Sequence, residues 1–273
     1  MKKFTIIAIA LFSLSSCKKI LDQIKQHPNG KGDDCRVENI YFTDYYGTAD
    51  GDPFSFADTA TFKYTAANQL QSIDYASTRY HYYVGPYTPH DRFFKYDNSG
   101  RLQVYLENYF VSGNLTHALE WHKYTYIGAT QIIDSIYSYT NGNPGISPTP
   151  SDGSTLARIV KTTLDSYGRV IKDETAYPGS SIPVEIATYS YDASTGNLII
   201  PGVTYTNKTS LFQTNKTLMF ILRDYSVNTQ VGEAYQFNGN DLPVKFNSFK
   251  LRLFLNQGVG TYDQKISVRY KCK

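Results

Sequence analysis

One strand-turn-strand unit recurs along this chain, and it restricts the fold more than any other feature. Phe94-Lys-Tyr-Asp-Asn-Ser-Gly-Arg-Leu-Gln-Val104 runs from an aromatic strand end through a polar turn and a glycine into a return strand beginning Arg-Leu. Thr163-Leu-Asp-Ser-Tyr-Gly-Arg-Val-Ile171 repeats it, and Tyr189-Ser-Tyr-Asp-Ala-Ser-Thr-Gly-Asn-Leu-Ile199 does so with a turn one residue longer. In Phe62-Lys-Tyr-Thr-Ala-Ala-Asn-Gln-Leu70 an asparagine stands at the glycine position, and asparagine is enriched among non-glycine residues at positive φ. Gly100, Gly168, Gly196 and Asn68 therefore read as left-handed positions that close hairpins, with Asp97, Asp165 and Asp192 capping the turns through their own carboxylates. These roles are structural.

The segments between the turns alternate aromatic or β-branched residues with polar ones: Trp121-His-Lys-Tyr-Thr-Tyr126, Ser135-Ile-Tyr-Ser-Tyr139 and Ser267-Val-Arg-Tyr270 are examples. A period of two marks half-buried strands. The pattern predicts about 12 to 15 strands in an all-β, antiparallel hairpin meander, a curved sheet for which closure toward a barrel or a sandwich is left open. Two loops interrupt it, at 85–91 and 141–154. Lys216-Thr-Leu-Met-Phe-Ile-Leu-Arg-Asp-Tyr225 is a short apolar run, read as a short helix or irregular segment packed on the sheet.

Tyr-Asp-x-x-Gly-Arg-Leu resembles the YD repeats of RHS-type proteins, which build long antiparallel hairpin arrays. A closer resemblance is to uncharacterised lipoproteins of Bacteroidota that carry degenerate copies of the repeat, including the stretches matched here by Arg223-Asp-Tyr-Ser226 and Tyr235-Gln-Phe-Asn-Gly-Asn-Asp-Leu-Pro-Val244. The resemblance covers most of residues 36–271, and the unit at 94–104 keeps nearly every element. It implies a β-hairpin scaffold without a defined activity. The shell that these repeats form around toxin domains does not carry over, because the copies here are few.

The N-terminus has its own pattern. Lys2 and Lys3 precede an apolar stretch from Phe4 to Leu14 without an acidic residue, a signal-peptide layout. About 11 positions fall short of the roughly 20 that a helix needs to cross a bilayer. Leu14-Ser-Ser-Cys17 resembles a lipobox, so residues 1–16 read as a lipoprotein signal peptide and Cys17 as the lipidation site; the alternative is an ordinary secretory signal. Residues 17–34 read as a lipid-anchored tether and 35–273 as a single β domain. Lys18 and Lys19 stand where surface-exported lipoproteins of the resembled phylum tend to carry acids. This favours the periplasmic face of the outer membrane over the cell surface.

With Cys17 acylated, Cys35 and Cys272 remain at the two ends of the domain. An oxidising compartment permits a disulfide between them, and closing so long a loop contributes at most about 5 kcal/mol. The formal charge of +3 includes both signal-peptide lysines, and a mature chain this close to neutral argues against nucleic acid.

No catalytic residue is assigned. His27, His81, His90, His117 and His122 show no metal-ligand spacing; His117 and His122 are separated oddly and face opposite sides of a strand. Asp44, Asp50 and Asp52 lack the order of a calcium loop and read as a turn. Asp173 and Glu174 are adjacent and point apart. No nucleophile elbow or phosphate loop is present, and neither a metal nor a cofactor is expected. The 25 tyrosines offer either a cross-strand ladder or an exposed binding platform, for which Tyr80, Tyr82, Tyr83 and Tyr87 are the candidates. The function expected is a monomeric, non-catalytic envelope scaffold or binding module, with the membrane as one partner and an envelope protein or glycan as the other. An envelope hydrolase and an assembly or secretion accessory are the alternatives.

Overall fold

The structure, a computed structural model, describes residues 34–49, 52–76, 91–110, 117–139, 154–247 and 265–273. Its strands are β1 (Cys35–Ala49), β2 (Asp52–Tyr64), β3 (Leu70–Tyr75), β4 (Arg92–Tyr96), β5 (Leu102–Phe110), β6 (His117–Ile127), β7 (Gln131–Tyr139) and β8 (Ser154–Leu164). They continue with β9 (Val170–Ala176), β10 (Glu185–Thr188), β11 (Tyr205–Thr209), β12 (Asn228–Gln230), β13 (Ala234–Phe237), β14 (Pro243–Asn247) and β15 (Lys265–Cys272). A 3₁₀ turn at Leu211–Thr214 and a helix α1 (Lys216–Leu222) lie between β11 and β12.

The all-β meander expected from the hairpin units is the fold observed. Among the described residues, thirteen strands make one antiparallel sheet in the order β10-β9-β8-β7-β6-β5-β4-β3-β2-β1-β15-β14-β13, and β11 pairs with β12 separately. Hairpins explain the order, because each turn returns the chain beside the strand it has just left. β10 and β13 are edges that do not pair with each other, so the sheet is not a closed barrel.

Every residue of the repeated motif has a physical task. Asp97 accepts at Oδ1 from the amides of Ser99 and Arg101, both at 2.9 Å, while its Oδ2 accepts from Arg101 Nε at 2.8 Å. Asp165 makes the same three bonds with Tyr167 and Arg169. The glycine that follows is left-handed, at φ +79° for Gly100 and +78° for Gly168, and Asn68 takes that place at +62°. Across the turn a strand-end residue faces an apolar residue six positions on: Tyr64 with Leu70, Tyr96 with Leu102, Leu164 with Val170, Phe237 with Pro243. In all four the register then shifts by one residue, a bulge that increases local twist.

The unit at 237–243 replaces aspartate by Asn238, whose Oδ1 accepts from the amides of Asn240 and Leu242, and glycine by Asp241 at φ +61°. A sixth copy is assembled from the two ends of the domain. Tyr270 faces Val37, Lys271 faces Arg36, and the same register shift follows between Val37 and Asn39. The Cys35–Cys272 disulfide, spanning 237 residues of sequence, stands where the other copies have their turn.

A core forms on one face of the sheet, where Val37, Ile40, Phe62, Ile73, Phe94, Tyr105 and Tyr124 meet Leu211, Phe212, Leu218 and Met219 from the segment that holds α1. Asn215 starts that helix by accepting from the amides of Thr217 and Leu218, and Arg223, left-handed at φ +57°, ends it. The opposite face carries a small cluster around Leu106 and Trp121. β11 and β12 bridge the two sheet edges at the turn end: Asn197 exchanges bonds with Asn228 on one side, and Thr209 N donates to Asp241 O on the other.

Candidate functional site

The turn units are tied together by their tyrosines. Tyr64 donates to Val37 O, Tyr96 to Leu70 O, Tyr126 to Leu102 O and Tyr270 to Pro243 O, all between 2.7 and 2.9 Å. Each hydroxyl reaches from one unit to the apolar residue that begins the return strand of its neighbour. Cations cover the rings on the outside: the guanidinium carbons of Arg36, Arg101 and Arg169 lie 4.8, 4.4 and 4.3 Å from the rings of Tyr64, Tyr126 and Tyr191. Arg101 and Arg169 therefore each hold the aspartate of their own turn and stack on the next tyrosine. Burial pushes the Tyr96 and Tyr126 phenols up to about 12, with Thr217 and Arg101 respectively acting in the other direction, so both remain neutral donors.

At Leu164 the ladder is interrupted. The motif places this residue where Tyr64 and Tyr96 stand, and leucine has no hydroxyl to donate. The neighbouring hairpin is different too. Tyr126 faces Ile132, but the register between β6 and β7 does not shift, and the β7–β8 ladder runs on to Gln131 and Thr163 with Leu164 N donating to Thr130 O. There the two strands stay joined by backbone bonds up to the turn itself.

Beside this interruption lies a half-open cavity of about 470 Å³. Leu102, Ile132, Leu164, Met219, Phe220 and Val227 line it together with the rings of Tyr96, Tyr126, Tyr167, Tyr191 and Tyr225, and Arg101, Arg169, Asp192 and Lys216 complete the wall. The segment holding α1 forms one side. Tyr96 Oη and Thr217 Oγ1 are 2.8 Å apart, Gln213 Nε2 donates to the carbonyls of Tyr225 and Ser226, and Tyr225 hydrogen-bonds the Val170 backbone. Asp192 is turned onto its own hairpin, where the hydroxyl of Ser194 and the amide of Thr195 hold it at about 2.

A second polar cluster lies farther along the inner face. Arg92 donates to Tyr105 and Glu107, both at 2.6 Å, and Tyr105 donates on to Glu107. His122 Nδ1 sits 2.8 Å from Asp134, its Nε2 is 4.0 Å from Glu120, and Glu120 pairs with Arg158. Burial opposes the His122 charge, but Asp134 with its hydrogen bond, then Glu120 and Glu107, raise its pKa above the ordinary value. Arg223 joins Asp173 at 2.7 Å, and Thr162 donates to the same carboxyl. No serine, threonine or cysteine nucleophile is hydrogen-bonded to His122 among the described residues, and these groups act as paired charges in the core.

Gly100, Gly168, Gly196 and Asn68 occupy the left-handed turn positions assigned to them, and Cys35 and Cys272 are bonded. Cys17 and the four candidate platform tyrosines, Tyr80, Tyr82, Tyr83 and Tyr87, lie outside the described residues, as do the side chains of Asp44, Asp50, Asp52 and His117. The cavity was not foreseen from the sequence. Its one signal there is Leu164, the strand-end residue of a copy whose Asp165, Gly168 and Arg169 follow the motif but whose tyrosine is missing. Among the described residues no group of three or more His, Cys, Asp or Glu could hold a metal ion, and no helix is long and apolar enough to cross a membrane.

Fold and cavity together define a class: an antiparallel hairpin-array domain, stapled end to end, with a pocket at its turn end. No family model matches the chain, and no curated protein matches it. Among solved structures, a porin-like protein from Bacteroides uniformis aligns with 86% of this chain and 98% of its own, at 10% identity and a TM-score of 0.24. A likeness at that level carries no argument.

Proposed function

We propose that this chain is a cell-envelope lipoprotein, anchored through Cys17, whose β domain is a non-catalytic scaffold and binding module. The observation that supports binding is the cavity. It is of a size typical of small-molecule sites, mostly apolar with a few polar groups at its wall, and it opens where the fold's own repeat would place a tyrosine. Tyr96, Tyr126, Gln213 and Asp192 around it are engaged in the turns and in the ladder, which suits holding a ligand rather than transforming one. An envelope protein or glycan remains the proposed partner of the scaffold as a whole, and the periplasmic face of the outer membrane its proposed location.

The anchor is tested in cells by Cys17→Ala and fractionation. The parent chain should sediment with membranes and take up labelled fatty acid, and the variant should do neither. A variant that still sediments with membranes would place the anchor elsewhere. Pull-down from envelope extracts with the purified Cys17→Ala chain then tests the module: capture of one protein or glycan species at fixed stoichiometry supports it, and capture of none contradicts it.

A further inference from the structure

Resting on the reading of the domain as a binding module, we infer that the cavity at the interrupted ladder is a site for a single-chain anionic amphiphile, a long-chain carboxylate such as a free fatty acid. Two observations carry this, one from the interior and one from the rim.

The interior is apolar, formed by Leu102, Ile132, Leu164, Met219, Phe220 and Val227. Its polar atoms are already engaged. Tyr126 Oη bonds Leu102 O, Tyr96 Oη bonds Leu70 O and Thr217, and Gln213 holds two carbonyls. A sugar placed there would bury hydroxyls without partners, at a cost that an alkyl chain does not incur.

The wall, by contrast, keeps unengaged donors. Arg101 and Arg169 use Nε and Nη2 on Asp97 and Asp165. Nη1 of each has no acceptor among the described residues. Lys216, exposed on the first turn of α1, likewise has none. The nearby carboxylate, Asp192, is held by its own turn. Beyond the ion pairs of Arg101 and Arg169 with Asp97 and Asp165, these three donors suit an acceptor-only head, and a carboxylate binds guanidinium and ammonium donors through charge-assisted hydrogen bonds. The motif explains why the space exists: a tyrosine at 164 would fill it, as the ladder does at the other units.

The test is calorimetric titration of the purified full chain carrying Cys17→Ala, so that no acyl group of its own competes. Laurate, dodecyl maltoside and dodecyltrimethylammonium, each below its micelle concentration, share one alkyl chain and differ in the head. Laurate should bind at one site, at least tenfold more tightly than the maltoside and more tightly still than the cation. Leu164→Tyr should weaken laurate at least tenfold while the chain stays folded. Lys216→Glu, at an exposed position that leaves the fold intact, should weaken laurate several-fold and leave the maltoside unchanged. Equal affinity for all three heads, or laurate binding that neither variant alters, would overturn the inference. A chain that captures an envelope partner but binds no amphiphile overturns this inference alone; a chain that does neither overturns the binding module as well. Sedimentation with phosphatidylglycerol vesicles separates the sources: laurate binding without vesicle binding assigns a free fatty acid, and vesicle binding that is lost in Leu164→Tyr would assign the cavity to a two-chain phospholipid and overturn the inference.

Discussion

At the scale of single residues, the turn units are held together by a few tyrosine hydroxyls. Tyr96 and Tyr126 each lose a hydrogen bond to a main-chain carbonyl when changed to phenylalanine, which should cost about 1 kcal/mol apiece. Urea unfolding checks this, and Tyr96→Phe should be the more costly because Thr217 loses its partner too. His122 gives a pH dependence with a definite sign. Its folded-state pKa is raised above 6.5 by Asp134, Glu120 and Glu107, against burial, and the rings of Tyr105 and Tyr124 pack beside it. Its contribution to stability is therefore complete below the unfolded pKa and fades as pH rises through the higher folded value. Urea midpoints of the parent should fall as pH rises above His122's ordinary pKa, and those of His122→Gln should be flatter over the same rise. The pairing itself was not readable from the sequence. His122 and Asp134 lie on neighbouring strands, and only the register of β6 against β7 makes them meet. Composition and spacing showed two histidines with no ligand pattern, and nothing more.

The elements were legible wherever the local chemistry was self-contained. The turns of the 94–104 and 163–171 units announce themselves because an aspartate, a left-handed glycine and an arginine satisfy one another within five residues. Gly168→Ala forces a Cβ into positive φ, and the cost should be about 1 to 2 kcal/mol; Asn68→Gly relieves that strain but gives up the exposed bond from Arg36, so its change should be smaller than that of Gly168→Ala, as thermal melts of the two variants would show. The 126–132 unit was harder to see. It has no aspartate, its left-handed glycine, Gly128, comes early, and its register does not shift. α1 was ambiguous on sequence because its apolar run is shorter than periodicity can resolve. The Asn215 cap and the core beneath it settle the segment as helix. Leu164 conveys nothing without the neighbouring copies: only when Tyr64 and Tyr96 are seen bonding across units does a leucine in that place become an opening.

Across the whole molecule, the disulfide does more than tie two ends together. Cys35 and Cys272 sit where a turn belongs, and Tyr270, Arg36 and Val37 complete the unit around them, so the staple joins the array at a point like any other hairpin. Replacing both cysteines by serine should lower stability by about 2 to 5 kcal/mol and loosen β15 and β1 first; hydrogen exchange resolved by strand would show it. Compartment and position imply the bond in the sequence, but that the two ends form a repeat is visible only once the strands are paired. The most direct test of the whole account is a laurate titration of the Cys17→Ala chain followed by backbone amide NMR. A ligand in the cavity predicts saturable shifts confined to the turns at 100–102 and 164–169 and to the segment 213–220. Shifts centred on the exposed edge at Ile182, Val184 and Ile186, or no shifts at all, would contradict it.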